Sequence, residues 1–507
     1  MSLSGALTIA NSGLLNIGQG FGIISQNIAN AQTPGYATET TTTDSLVAGD
    51  QPEGVGGGQA ILATDAVLQQ SVFDAGTETA QWAALNNTLA AIAPALGAVG
   101  SNNDLGSLVD GVQSAFAALL NDPSSASSQQ AVINAASTLT TSINQLSSTY
   151  TNARQSVQTA LVGGIASLNT DLTNLGSLNS QIVALKAQGS SIAGLQNQQA
   201  ALLQSISSLI PAQFVTLPTG AVSVLAGNGV QLPTDGSIQL SIANATTGPN
   251  VYYPGGGLPG IMLGSTDITA NLNGGQIGAL VQLRDQVIPQ FSAELDQFSQ
   301  GLAGRFAAQG LNLFTDGLGN VPVSAGVPTQ TGYIGFSSEI QVNPAILATP
   351  SLVRDGTEVI AGSPTGASAY TPNPQNLSGF TGMITRILDY ALTNSVQSGV
   401  TQPAIVTTGL GPGGNLSASF SGATDISDFA TALTVAQSST IGQANAASSE
   451  AQAVQTSLTT SLTAATGVSV DSQLSQLVAL QNAYGANAKV ISTVQEMMGV
   501  VISMVQT

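Results

Sequence analysis

Apolar side chains recur along residues 1–30 at alternating steps of four and three: Leu3, Leu7, Ala10, Leu14, Ile17, Phe21, Ile24 and Ile28. This spacing keeps one seam of an α-helix apolar and predicts a helix that packs against another helix. The far end of the chain repeats it through Leu477, Leu480, Tyr484, Asn487, Ile491, Val494, Met498, Val501 and Val505, with Asn487 the one fully polar member. The two ends are therefore predicted to pair. Gly5, Gly13, Gly18, Gly20 and Gly22 lie inside the first helix, and at ~1 kcal/mol each relative to Ala they cost roughly 5 kcal/mol together. Covering the seam returns on the order of 10 to 20 kcal/mol. The first helix is thus expected to fray alone and to become ordered when its seam is covered on assembly.

Between the ends the period changes. Thr33-Pro34-Gly35 stops the first helix, and residues 37–75 read as extended segments interrupted by the glycines of GVGGGQ at 54–59. Helical stripes follow from about 80 to 210. One runs from Leu108 to Leu120, one from Ala131 towards Leu161, and others cover 165–188 and 193–209. Residues 212–270 alternate with period two, most clearly at Ala221–Leu225 and Ser237–Ile242, with Gly227-Asn228-Gly229 as a turn. Helix returns over 277–309, and a nearly uncharged helix covers 426–464. Residues 311–424 hold most of the remaining Gly and Pro, several short strands, and one helix near Met383 to Leu392.

The pattern predicts a multidomain α+β chain with paired, coiled-coil-like terminal helices, a long-helix bundle and an inserted β-rich domain. Its expected divisions are a terminal helical domain at 1–36 plus 468–507, a mainly helical middle domain at 37–310 plus 425–467 with a small β segment at 212–270, and a β-rich outer domain at 311–424.

Composition narrows the chemistry. Charged residues make up only 7% of the 507 positions, against roughly 25% in an average soluble protein. The formal net charge is −19, with 26 acidic and 7 basic residues. No cluster of cations is available to replace phosphate counterions, so nucleic acid is not an expected partner. Cysteine and histidine are both absent, which removes thiol nucleophiles, the commonest general base and zinc sites of the usual kind. The segment Gly409 to Gly414 formally fits GxGxxG, but Leu416, Ala418 and Phe420 alternate as a strand after it, where a dinucleotide site needs a helix. No catalytic, cofactor or metal residue is expected. No apolar run reaches the length of a membrane span. The first 38 residues carry no charge, unlike the basic opening of a secretory signal, so any export is expected to use no cleaved peptide.

Two strings are more specific. SQNIANAQTPGY at 25–36, with Asn27, Ile28, Ala29, Asn30, Pro34, Gly35 and Tyr36, resembles the N-terminal motif of flagellar axial proteins, the rod, hook and hook-associated family. The amides of Asn27 and Asn30 are expected to cap loose carbonyls at the helix end. The string from Val468 onwards is similar to the partner motif of the same family at Asp471, Leu477, Gln481, Tyr484, Ala486, Ala488, Val490, Ile491 and Ser492. The interior resembles the hook-associated members: NDPSSASSQQAVINAASTL from Asn121, AVSVLAGNGVQL, and GGQIGALVQLRDQVIPQFSAELDQFSQGLAGRF from Gly274, in which Arg284 and Asp285 suggest a buried or interfacial pair. The chain departs from the family at Ser472-Gln473, where an acidic pair is usual, and at Asn197-Gln198-Gln199-Ala200, where Asp-x-Arg-Asp is common.

The resemblance implies a non-enzymatic, extracellular flagellar component. It would act as an adaptor at the hook–filament junction and self-assemble through the two terminal seams. Implied partners are further copies of itself, the hook subunit, the second junction protein and, before type III export, a chaperone. A sibling axial protein (the hook subunit or the second junction protein) is the alternative within the family. A secreted β-rich adhesin is the alternative outside it, and it leaves the two apolar ends without a purpose.

Overall fold

The computed structural model describes residues 2–48 and 51–505. Met1, Gly49, Asp50, Gln506 and Thr507, which the expected domain limits include, lie outside the described residues. In chain order the larger elements are α1 (Leu3–Asn30), β1 (Glu39–Ala48), β2 (Gln51–Leu62), α2 (Ala66–Ala90), α3 (Leu105–Asn121), α4 (Ala126–Ala187) and α5 (Ala193–Leu209). There follow β3 (Ala212–Thr216), β4 (Val222–Ala226) and β5 (Val230–Leu232). Next come α6 (Gly275–Gln282), a π-helical turn at Leu283–Val287, α7 (Ile288–Ala308), α8 (Ile426–Thr466) and α9 (Val470–Val505). The fold is α+β, with long helices and several small sheets. Among the described residues, no helix is long and apolar enough to cross a membrane.

Two compact units divide the chain. The first takes Met1–Ala80, Ala166–Gln239 and Glu450–Thr507, and the second takes Gln81–Ile165 and Leu240–Ser449. Helices α2, α4 and α8 each supply residues to both.

In the first unit, α1 packs against α9 and against the antiparallel hairpin β1–β2. The same unit holds a three-stranded antiparallel sheet, β3–β4–β5. Val222, Val224 and Ala226 point from alternate positions of β4 into a core with Leu172, Leu175 and Ile206. Phe73 meets Phe214 edge-on at 5.3 Å. Asn179 pairs with the Val222 backbone in both directions, accepting from its N–H at 3.0 Å and donating to its carbonyl at 2.8 Å. Gln199 in turn donates to Asn179 at 2.9 Å. Gln199, within the Asn197-Gln198-Gln199-Ala200 segment, thus makes a buried polar bond.

The second unit has an aromatic core in which Phe306 contacts both Phe116 and Phe314. Arg284, on the π-helical turn, is fully buried. It makes a two-pronged pair with Asp285, Nε to Oδ1 and Nη2 to Oδ2, both at 2.7 Å. Its Nη1 donates to Gln158 Oε1 and to the Pro259 carbonyl, each at 3.0 Å. Arg154 donates to the carbonyls of Arg284, Gly248 and Val251. Burial lowers the Arg154 guanidinium to about 10, opposed by Asp285 and assisted by Arg284.

Four expectations change. The glycines at 54–58 do not interrupt regular structure but lie within β2. A side chain at Gly54 or Gly57 would overlap Ser12 or Gln19 of α1, so these glycines let the strand lie directly on the helix. Residues 66–75 are helical rather than extended, and they bury Val72, Phe73 and Ala75 on one face. The stripes on either side of 161–165 form one continuous helix, α4. There Gly163 faces open space and Gly164 lies against Ile277. In 311–424 the strands are two or three residues long, set among turns and short helices, because dense Gly and Pro cannot sustain a ladder. Within that region, Gly409, Gly411 and Gly414 take positive φ in a tight hairpin between Thr408–Leu410 and Leu416–Ser417.

Candidate self-assembly surface

Helices α1 and α9 run antiparallel with a constant register. Asn27 meets Gln473, Gly20 meets Leu480, and Gly13 meets Asn487, each step being one heptad in both helices. All eight apolar seam positions of α1 are buried or half-buried, with Ala10, Ile17 and Ile24 the most enclosed. Two of the five helix glycines explain themselves here. A Cβ at Gly20 would lie 2.8 Å from Leu480 Cδ1, and one at Gly13 would lie 3.0 Å from Asn487 Nδ2. They buy close approach of the helices, whereas Gly18 and Gly22 face open space. The seam of α1 is therefore covered within a single chain, by α9 and β2. This corrects the expectation that only assembly could cover it.

On α9 the seam facing α1 is Gln473, Leu477, Leu480, Ala483, Asn487, Ile491, Val494 and Met498, all buried or half-buried. Tyr484 and Val501, expected in that seam, are instead 51% and 50% exposed. The heptad holds at the positions on either side, and at this one step Ala483 takes the inward place of Tyr484. Gln481 and Ala488 also face solvent, as do Ala29, Pro34 and Gly35. With Val490, Met497 and Met504, the outward Val501 gives α9 a second apolar stripe that is exposed to solvent. Leu15 extends exposed apolar surface onto α1. Surface of this kind marks an interaction site.

A polar knot fixes the base of the pair. The amide of Asn27, fully buried, donates to the Glu39 carbonyl at 2.8 Å and to Gln473 Oε1 at 3.1 Å. Its oxygen accepts from the Glu39 N–H at 2.9 Å and from the Tyr36 hydroxyl at 3.1 Å. Asn27 is thus a hub joining helix, turn, strand and α9, rather than a cap. Asn30 donates back to the Gln26 carbonyl at 3.0 Å, closer to the capping role expected of both. Gly35, at φ +75°, turns the chain so that Tyr36 folds back. Thr38 then bonds to the carbonyls of Thr466 and Gly467, at 2.8 and 2.7 Å, closing the link between the chain ends. Burial, together with the facing Glu39, pushes the Tyr36 hydroxyl up to about 12.

Sequence reasoning missed Gln473, Ala483, Thr38 and Glu39. Gln473 had a readable signal, since it stands four residues before Leu477 and continues the heptad. Its uncharged amide is what the buried Asn27 can bond without introducing a charge. Replacement of Asn27 by Ala would leave the Glu39 N–H and the Tyr36 hydroxyl without their partner. It is expected to destabilise the first unit by roughly 2 to 6 kcal/mol, at ~1 to 3 for each of the two orphaned groups. Denaturant unfolding followed by amide exchange in α1 would measure this, and a loss below about 1 kcal/mol would contradict the hub.

Comparison with known proteins bears on the same segments. Residues 89–317 match the flagellar hook-associated protein FlgK helical domain. Residues 463–504, spanning most of α9, match the flagellar basal body rod FlgEFG protein C-terminal segment. Among solved structures, the flagellar hook junction protein FlgK from Burkholderia pseudomallei is similar at 21% identity and a TM-score of 0.41, over 50% of this chain. The chain spans 45% of that protein's length. No curated protein sequence matches.

Proposed function

We propose that this chain, a flagellar axial protein of the hook-associated kind by the two family matches it carries, is a structural subunit of the hook–filament junction. The match over 89–317 is the observation that carries this reading. The C-terminal match, to a segment described from rod proteins, is common ground for axial proteins and fits a hook subunit equally well. The helical domain favours the junction.

In this reading the terminal pair, 1–36 with 468–507, polymerises. The outward stripe of α9 and the exposed Leu15 supply the apolar surface for contacts between copies. The body at 37–310 with 425–467 carries the load, and 311–424 forms a surface insert. The partners would be other copies, the hook subunit, and the second junction protein on the filament side. A chaperone would cover α9 before type III export. The role is mechanical and non-enzymatic, an adaptor between two polymers that acts by non-covalent packing.

Gold-labelled antibody on isolated flagella tests the address. A single band of label at the distal end of the hook is expected. Label along the whole hook would make the chain a hook subunit instead.

A further inference from the structure

Two charges in the first unit stand apart in a chain with few of them. Glu39 is 5% exposed, and its Oε1 is buried without a hydrogen-bond partner. It lines a cleft of about 510 Å³ with Gln19, Gln26, Gly57, Gln59 and Ser191. These lining side chains are uncharged, so nothing in the cleft balances a carboxylate. Burial raises the Glu39 carboxyl above its usual range, opposed by Asn197 and Tyr36. A carboxylate held in this way gains strongly from a cation brought to it.

Of the seven basic residues, the five arginines and Lys186 all bond within the chain. Among the described residues, the ammonium of Lys489 has no hydrogen-bond or ion-pair partner, although the residue's carbonyl accepts from the Thr493 hydroxyl. It lies exposed on α9, on the side turned away from α1. Within one chain it cannot reach Glu39. Glu39 sits beside Asn27 and Gln473, and Lys489 is sixteen residues further along α9 than Gln473, about 24 Å at 1.5 Å per residue. That separation is well beyond a lysine side chain.

We propose that Lys489 of one copy enters the Glu39 cleft of the next, forming an ion pair between copies offset by about 24 Å along the terminal helices. The proposal rests on the assembly reading above and sharpens it. It names the face of α9 that meets a neighbour, the cleft between α1, β2 and the turn before α5 that receives it, and the axial offset that joins them. With six of the seven basic residues bonded within the chain, few cations compete for the Glu39 cleft, so this contact would fix the register between copies while the apolar stripes supply the area.

The test is competition for incorporation. Each tagged variant is co-expressed with the wild-type chain, and the ratio in isolated flagella is read by quantitative mass spectrometry. Lys489→Gln, a surface change that leaves the fold intact, is expected to be depleted about tenfold or more. In a Glu39→Gln background, Lys489→Gln should produce no further depletion. A zero-length carbodiimide, which joins paired carboxylates to amines, should yield a Glu39–Lys489 peptide from wild-type flagella. Incorporation of Lys489→Gln at the wild-type ratio would overturn the pair while leaving the assembly reading intact, as would independent effects of the two changes. Absence of the wild-type chain from flagella would overturn both.

Discussion

A chain ending at Gln473 is expected to keep a folded second unit yet never to enter the flagellum. The deleted residues include Leu480 and Asn487, which lie against Gly20 and Gly13 of α1, and the buried Val494. They also include the whole outward stripe of Val490, Met497, Val501 and Met504. None of them belongs to the second unit, which takes Gln81–Ile165 and Leu240–Ser449. With α9 gone, Ala10, Ile17 and Ile24 face water on one side, and β2 alone does not cover the seam. At ~1.5 to 3 kcal/mol for each large side chain uncovered, α1 should lose most of its protection from amide exchange. Thermal unfolding should still show a cooperative transition from the second unit. Normal junctions built from the truncated chain would sink the assembly claim.

The second large effect belongs to Arg284. Its guanidinium is fully buried and bonds Asp285 twice, Gln158 once and the Pro259 carbonyl once. Arg284→Ala removes every one of these bonds and leaves Asp285 as an unpaired charge whose side chain is 7% exposed. Breaking a buried pair from one side costs about 3 to 5 kcal/mol. Arg284→Lys should restore little of it, because a point charge cannot bond three directions from one plane.

The pH dependence supplies a signature. Burial already raises Asp285 above the usual carboxylate range, against the pull of Arg284 and Arg154. Without Arg284 the folded form should hold its proton still more tightly. A raised carboxyl binds its proton more readily folded than unfolded, so stability is lost as pH rises through its folded value. The deficit of the variant should therefore shrink on acidification. Denaturant titrations at mildly acidic and neutral pH measure this, and an equal deficit at both would contradict the role given to Asp285.

The long helices were legible because their periodicity was long. Residues 193–209 and the start of α8 at 426 agree with the structure to the residue or nearly so, and every position of the α1 heptad is buried or half-buried, although the fully buried Asn27 lies outside it. What escaped was set by contacts distant in sequence. Gly54 and Gly57 read locally as breakers, yet they form a strand because Ser12 and Gln19 occupy the space a side chain would need. Tyr484 fitted the heptad, yet at that one step Ala483 faces α1 in its place. Asn27 was readable as a helix-end amide, but its partners Tyr36, Glu39 and Gln473 come from three other segments. Arg284 and Asp285 were legible as a pair in a nearly uncharged chain. Their burial depended on α4 supplying Gln158 and Arg154, which adjacency in sequence does not reveal.

The central claim is that α1 and α9 assemble this chain at one place, the boundary of hook and filament. A cryo-EM reconstruction of that boundary in isolated flagella tests it most directly. The account predicts a short tier of this chain between the two polymers, with α1 and α9 antiparallel and the stripe of Val490, Met497, Val501 and Met504 buried against neighbouring copies. A boundary without this chain, or one in which that stripe faces solvent, would contradict it.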